Sequence, residues 1–386
     1  MVGGRRRTVA IVLVSLAMLV TATAAGWAYY LNHQIDDVRR ISVDFGQERK
    51  SHVTAPDDDA PRGRGDGAAP KDGPSSGRED VDSSSPDSTG DETGGAEEKE
   101  PPANEPLTIL VAGVDAGAGP RIADALAAGS WTPGRYRSDT LMLLHLPADR
   151  RSATVVSVPR DSWVEIPGHG TRKVNAAFSL GGPDLLVSTV ERLTRVDVDH
   201  MMIIDWQAFI RITTAIGGVR VEIPEDVYDW KQDVHWKAGT HRLEGERALQ
   251  YVRQRYGLPR GDFHRIDRQQ NFVRATLSKV LADETLLNPV KVTRILEAVG
   301  DHFLVDDGLS SERLRALALS SRQLRGGAVE FVTIPTTGIE NVQGNSVVRV
   351  DKAGTRRLLQ AVTEARTEQY LQRNDTDRLD DPGEIR

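Results

Sequence analysis

The sequence predicts a layered α/β domain preceded by one membrane-spanning helix and a disordered acidic linker. Three observations carry this: an uncharged apolar run from Val9 to Ala28, a stretch from Ser51 to Pro106 with scarcely any large apolar side chain, and short apolar runs alternating with amphipathic ones from Leu107 onward.

The apolar run, at about 1.5 Å per residue, crosses a hydrocarbon core of about 30 Å, so residues 9–31 are assigned as a transmembrane helix. Arg5, Arg6 and Arg7 precede it while Asp36 and Asp37 follow it, and positive charge is retained on the cytoplasmic side. Residues 1–8 are then cytoplasmic, and everything after Leu31 is exported: a single-pass cell-membrane protein with an extracytoplasmic domain. The competing reading is a cleaved signal peptide, since Ala22-Thr23-Ala24 has the small residues of a cleavage site. Either route delivers the domain to the same compartment. Residues 32–50 form a juxtamembrane segment.

Residues 51–106 hold fifteen acidic and five basic residues, so of the formal net charge of −7 the rest of the chain carries about +3. A segment this poor in apolar side chains cannot bury enough surface to offset its ordering entropy. It reads as a flexible spacer. Within it, Gly73-Pro74-Ser75-Ser76-Gly77 and Arg64-Gly65-Asp66 match short functional motifs but lack the flanking strand and helix a positioned site needs. The chain has no cysteine, which excludes disulfides, thiolate metal sites and cysteine nucleophiles.

Residues 107–367 make the folded domain. Predicted strands are Leu107 to Val114, Thr140 to Leu146, Thr154 to Val158, Met201 to Asp205, Val219 to Ile223 and Val329 to Ile334. Predicted helices are Ile122 to Ala128, Pro183 to Leu193, Trp206 to Ile216, Glu244 to Val252, Phe263 to Leu281, Pro289 to Val299, Ser311 to Leu324 and Lys352 to Thr367. Residues 368–386 read as a flexible tail, charged and carrying a Pro-Gly pair near the end.

The most informative stretch is Val252 to Arg274, with six arginines, two aspartates and no lysine. A solvated basic face mixes both cations; arginine alone suits planar, bidentate recognition of oxyanions. Gly257-Leu258-Pro259 breaks the preceding helix, so Arg253 and Arg255 point the same way if the chain there is already extended. Asp262 is placed to cap the next helix, whose N-terminus favours phosphate. Arg265, Arg268 and Gln269, at i, i+3 and i+4, lie on one face of it. The plainer reading makes Asp262 a cap only and pairs Arg268 with a carboxylate.

Upstream, Asp115 ends the first strand, Arg137-Ser138-Asp139-Thr140 enters another, and Pro159-Arg160-Asp161-Ser162 leaves a third. Ligands of α/β sheets bind where strand ends and loops converge. Asp115 and Asp139 beside a pyrophosphate would suit Mg²⁺, or Mn²⁺ in its place, which takes one or two protein oxygens plus substrate oxygens; each aspartate alone reads equally as a turn residue. Lys173 and Asn175 add a charge and an amide to the same pocket or else start a helix. The nine histidines show no zinc spacing, and no glycine-rich nucleotide loop is present.

Six segments occur in the order of a known family: ILVAGVDAG from Ile109, RSDTLMLLHL from Arg137, VSVPRDSWVEIPG from Val156, KVNAAFSLGG from Lys173, AIGGVRVEIPED from Ala215 and LEGERALQYVRQRYGLPRGDFHRIDRQQ from Leu243. On these, the chain resembles the LytR-CpsA-Psr proteins, phosphotransferases that attach glycopolymers to the bacterial cell wall. The resemblance implies a three-layer α-β-α domain with a central mixed sheet, and a polyprenyl-pyrophosphate lipid with its tail in an apolar groove. It implies pyrophosphate contacts from Arg160, Arg253, Arg255, Arg265 and Gln269, with Lys173 near the phosphates, Mg²⁺ on Asp115 and Asp139, and Asp262 as acid or base. Two departures stand out: Thr213-Thr214 replace the usual Asp before Ala215-Ile216-Gly217-Gly218, and the loop from Asp115 to Asp139 is long.

The expected activity is transfer of a glycopolymer, with its linking phosphate, from the lipid carrier to peptidoglycan. The same donor site would serve a pyrophosphatase using water, or a non-catalytic receptor for cell-wall polymer. A nucleic-acid partner is excluded by the predicted topology, which places the basic stretch outside the cell.

Overall fold

The computed structural model describes residues 33, 35–36, 38–46 and 105–385, except 116, 118–119, 281, 283–287, 300–302, 322–323, 325–327 and 375–377. The predicted transmembrane helix and residues 51–104 of the acidic linker lie outside the described residues, among which no helix is long and apolar enough to cross a membrane.

A seven-stranded mixed sheet organises the domain. Its strands are β1 (Arg39–Ile41), β2 (Leu107–Asp115), β3 (Arg137–Leu146), β4 (Ala153–Ser157), β7 (His200–Asp205), β12 (Phe303–Asp306) and β13 (Val329–Thr333), in the order β1-β12-β7-β2-β3-β4-β13. β2 runs parallel to β7 and antiparallel to β3, β3 antiparallel to β4, and β4 parallel to β13. Because side chains alternate along a strand, β2 feeds both faces. Leu110, Ala112 and Val114 join one core with Leu186, Val187 and Val190 of α2 (Asn175–Thr194) and Leu358, Leu359 and Val362 of α8 (Lys352–Thr363). On the other face, Ile109 and Val111 pack with Leu317 of α7 (Ser311–Ser320), and Val111 also lies with Val273 and Leu277 of α5 (Asp262–Val280). The sheet is thus sandwiched between helices.

A second core lies under α3 (Trp206–Ala215), α4 (Gly245–Arg253), α5 and α6 (Pro289–Val299), where β8 (Val219–Ile223) pairs with β11 (Gly239–Leu243) and β9 (Val227–Asp229) with β10 (Val234–Trp236). Two further hairpins, β5 (Trp163–Ile166) with β6 (Gly170–Lys173) and β14 (Thr336–Val342) with β15 (Asn345–Val350), flank the main sheet. The remaining helices are α1 (Ile122–Ala127) and α9 (Thr367–Leu371).

Several expectations change. The helix expected from Pro183 is present, and a short helical stretch from Asn175 precedes it across a break at Gly181 and Gly182, where Gly182 takes φ of 69° and Pro183 starts the second helix at a position that needs no N–H. The helix expected to reach Thr367 stops at Thr363 because Ala365 turns left-handed, at φ of 55°. Arg39–Ile41, read as part of a juxtamembrane connector, instead form an edge strand parallel to β12. The acidic stretch therefore joins two parts of one sheet in the chain rather than preceding the whole domain. The C-terminal segment is not a frayed tail throughout. Leu379 and Ile385 are buried against Phe331 and Val155, and Arg378 bridges to Val332.

Candidate active site

The strand ends at one side of the sheet gather the chemistry. β3 is antiparallel to both β2 and β4, so the end of β2, the start of β3 and the end of β4 meet there, bringing together Asp115, Asp139 and Arg160. The β2–β3 register shifts between Gly113 and Val114: Gly113 faces Thr140 and Val114 faces Ser138, leaving Asp139 as the extra residue of a bulge. Bulges turn a side chain out of the regular alternation, and they recur beside active sites. Here the bulge aims Asp139 at the loop after β4.

Arg160 answers from that loop. Its Nη1 donates to Asp139 Oδ1 at 2.5 Å, and its Nε lies 3.6 Å from Asp161 Oδ2. Lys173 Nζ sits 2.9 Å from Asp161 Oδ1. Two cations and two carboxylates thus form a half-buried chain, pinned by backbone bonds: Val174 N–H donates to Ser162 O, Asn175 N–H to Arg160 O and Val348 N–H to Asp161 O. A small cleft, open to solvent, is lined by Pro159, Arg160, Asp161, Phe263, Arg265, Ile266 and Val348. Arg160 and Arg265, about a hundred residues apart in the chain, therefore share one cavity. Its walls also carry Phe263, Ile266 and Val348, so charge and apolar surface meet in a single opening.

At the end of β2, Arg253 from the end of α4 donates from Nη2 to Asp115 Oδ2 at 3.1 Å, and its guanidinium lies 5.3 Å from the centre of the Trp206 ring. Arg255 is exposed two residues on. Asp262 is the first residue of α5; its side chain lies outside the described residues. In the long segment between Asp115 and Asp139, Tyr136 is fully buried, donates to Pro120 O at 3.1 Å and packs on Trp131. Where Thr213 replaces the expected Asp, its hydroxyl donates to Phe209 O and accepts from Gly245 N–H.

Two of the expected phosphate contacts are held by neighbouring protein groups. Arg268 is fully buried, hydrogen-bonded to Gln254 and 4.7 Å from the Tyr251 ring centre, and burial lowers its pKa. Gln269 is buried as well and donates to Val252 O at 3.2 Å. The reason is physical: α4 covers that part of the α5 face, so periodicity that aligns Arg268 with Arg265 does not give it access. Conversely, the residue reading missed Asp161 and Trp206 as site members. Asp161 stands beside Arg160 in the sequence, and Trp206 directly follows the last residue of β7; both were legible as strand-end neighbours.

As to a metal, Asp115 and Asp139 offer hard oxygen donors from neighbouring strands, the donor type Mg²⁺ takes. Each now faces a guanidinium that a phosphate would compete for. The pair fits a cation that draws its remaining ligands from substrate and water. Among the described residues no group of three or more His, Asp or Glu is gathered to hold a metal by protein alone.

Comparison with known proteins bears on the family and the fold. The LytR_cpsA_psr family model matches residues 78–364. The cell wall biosynthesis protein LcpA of Corynebacterium glutamicum is 33% identical over 55% of this chain and 46% of its own length. The polyisoprenyl-teichoic acid–peptidoglycan teichoic acid transferase TagU of Enterococcus faecalis is 31% identical over 66% of this chain and 78% of its own. The structure of TagT bound to LIIa-WTA superposes with a TM-score of 0.54 at 25% identity, over 68% of this chain and 92% of that one. The chain spans about half the length of the two corynebacterial relatives it matches.

Proposed function

The chain belongs to the LytR-CpsA-Psr family, and from that premise we propose that it is a membrane-anchored transferase moving a glycopolymer with its linking phosphate from a polyprenyl-pyrophosphate carrier onto peptidoglycan outside the cell. The names of similar proteins, TagU among them, support the reaction class. The observation that carries the proposal is the shared cleft of Arg160 and Arg265, with Lys173 joined to Arg160 through Asp161.

A diphosphate entering this cleft finds Arg160 held by carboxylates, with Lys173 on the same carboxylate chain and Arg265 in the cleft wall. Exchanging Asp139 for a phosphate oxygen keeps the Arg160 guanidinium paired throughout, so binding does not strand a charge. Arg253 and Arg255 serve the same role from the end of α4. In the proposed step an acceptor hydroxyl oxygen attacks the sugar-bearing phosphorus; the bond from that phosphorus to the bridging oxygen breaks, and polyprenyl phosphate leaves. Asp262 at the start of α5 takes the hydroxyl proton. Such chemistry needs positioning and charge neutralisation more than covalent help. Asp115 and Asp139 would hold Mg²⁺, which when bound neutralises charge on the diphosphate.

The test is a reconstitution with lipid-linked polymer, with and without peptidoglycan. A covalent polymer–peptidoglycan product that depends on Mg²⁺ and disappears in Arg253→Ala, with an unchanged melting temperature, is the expected result. Release of free polymer phosphate at equal rate without peptidoglycan would make it a pyrophosphatase instead, and binding without turnover would make it a receptor.

A further inference from the structure

The β9–β10 hairpin exposes aromatic rings beside the arginine segment. Val227, Asp229, Val234 and Trp236 point inward and are buried, whereas Tyr228 and His235, paired across the strands, point outward with ring centres 4.1 Å apart and planes 14° from parallel. Tyr228 is 43% exposed and Trp230, in the turn, 59%. Trp230 packs on Tyr256, ring centres 4.3 Å apart.

This surface is rigidly built. Asp229 is fully buried and uses its carboxylate on the turn itself: Oδ1 accepts from the N–H of Lys231 and of Gln232, and Oδ2 from Gln232 Nε2, which also donates to Gln250 O of α4. Tyr256 is fixed to the same hairpin through Gly257, whose φ of 77° and close approach leave no room for a side chain; a Cβ there would lie 2.2 Å from Tyr228 O. Tyr256 is three residues beyond Arg253, hence within roughly 11 Å of it along the chain.

Asp229, which also faces the charge of Arg268, fixes the turn that carries Trp230, and an exposed ring on a fixed turn suits a partner. Flat apolar faces with a polar rim, here Tyr228 Oη donating to Asp233 Oδ1, match a ring with C–H faces and hydroxyl edges, as a pyranose has. Asp226, Asp233, Lys231 and Lys237 on the same hairpin oppose burial in lipid. Resting on the transferase reading, we propose that Trp230 and Tyr256, continued by Tyr228 and His235, form the subsite for the acceptor sugar of the peptidoglycan strand. The donor is anchored by its diphosphate and its lipid. The acceptor has neither, so stacking supplies what holds its hydroxyl near the arginines.

The test is co-sedimentation of the detergent-solubilised full chain with purified, polymer-free peptidoglycan sacculi, without donor, alongside transfer kinetics. Trp230→Ala lowers sacculus affinity about tenfold and raises KM for acceptor but not for donor; Tyr256→Ala does so less, and Trp230→Phe restores most of the loss. Unchanged sacculus binding and acceptor KM in Trp230→Ala, with transfer intact, would overturn the subsite. So would a defect seen only in proteoliposomes and not in detergent, which would assign the ring to the membrane. Trp230-dependent sacculus binding in a protein that transfers nothing would instead sink the transferase reading and leave the platform standing.

Discussion

Arg265 and Arg268 stand one turn apart on α5, and the structure gives them opposite fates. Arg265 lines the cleft with Arg160, while Arg268 is sealed between α4 and α5 against Gln254 and Tyr251. Both are more than nine-tenths buried, so burial alone does not separate them; what separates them is whether the covering element leaves an opening. The same residue type, at a spacing that puts both on one face, thus lines an opening in one place and is a core strut in the other.

The contrast is sharpened by breaking each member. The largest effect is expected on the ligand side. Arg160→Ala should slow transfer by about 10²- to 10³-fold, the usual loss for a preorganised charge at a reacting group, while the thermal midpoint moves little. On the strut side, Arg268→Ala leaves Gln254 without its partner and a void beside Tyr251, costing about 3 kcal/mol. That is a fall of about 10 °C in thermal denaturation. A stable, inactive Arg268→Ala protein would move Arg268 back into the site.

A smaller effect is expected at Asp267, between the two arginines. Burial pushes its pKa up to about 6; Arg260, 4.0 Å away, opposes this and Asp380 of the C-terminal segment adds to it. A raised folded-state pKa means that folding takes up a proton, so this stabilisation is complete below about pH 4 and is lost as pH rises through 6. Asp267→Asn should therefore be more stable than the parent above pH 7, on the order of 2 kcal/mol, with the difference vanishing below pH 4. A pH-independent difference in denaturation midpoints would remove Asp267 as its source. The smallest effect belongs to Lys173→Ala, which loses a cation that reaches Arg160 only through Asp161. Transfer should drop several-fold, with Lys173→Arg recovering most of it.

The central strands were legible because β2, β3, β4, β7 and β13 carry dense apolar runs that a sheet covered on both faces requires. The flanking hairpins were not: β5–β6, β9–β10 and β14–β15 alternate polar and apolar residues over short spans, and β6 exposes three of its four residues. Edge strand β1 has only Ile41 buried, too little to announce itself. The C-terminal segment was misread on composition, since Leu379 and Ile385 sit among charges yet dock on the sheet. In the site, Asp115, Asp139, Arg160, Arg253 and Arg265 were readable from strand ends and arginine bias. The depth of Arg268 and Gln269 was not, because it is set by α4, a neighbour that no spacing within α5 reveals.

The central claim is that arginines from separate loops and helices form one diphosphate clamp. The direct measurement is equilibrium binding of an isoprenyl pyrophosphate and of the matching monophosphate to the full chain and to Arg160→Ala. The account predicts clear preference for the pyrophosphate and at least a tenfold loss of that affinity in the variant. Equal affinity for the two ligands, or pyrophosphate binding untouched by Arg160→Ala, would contradict it.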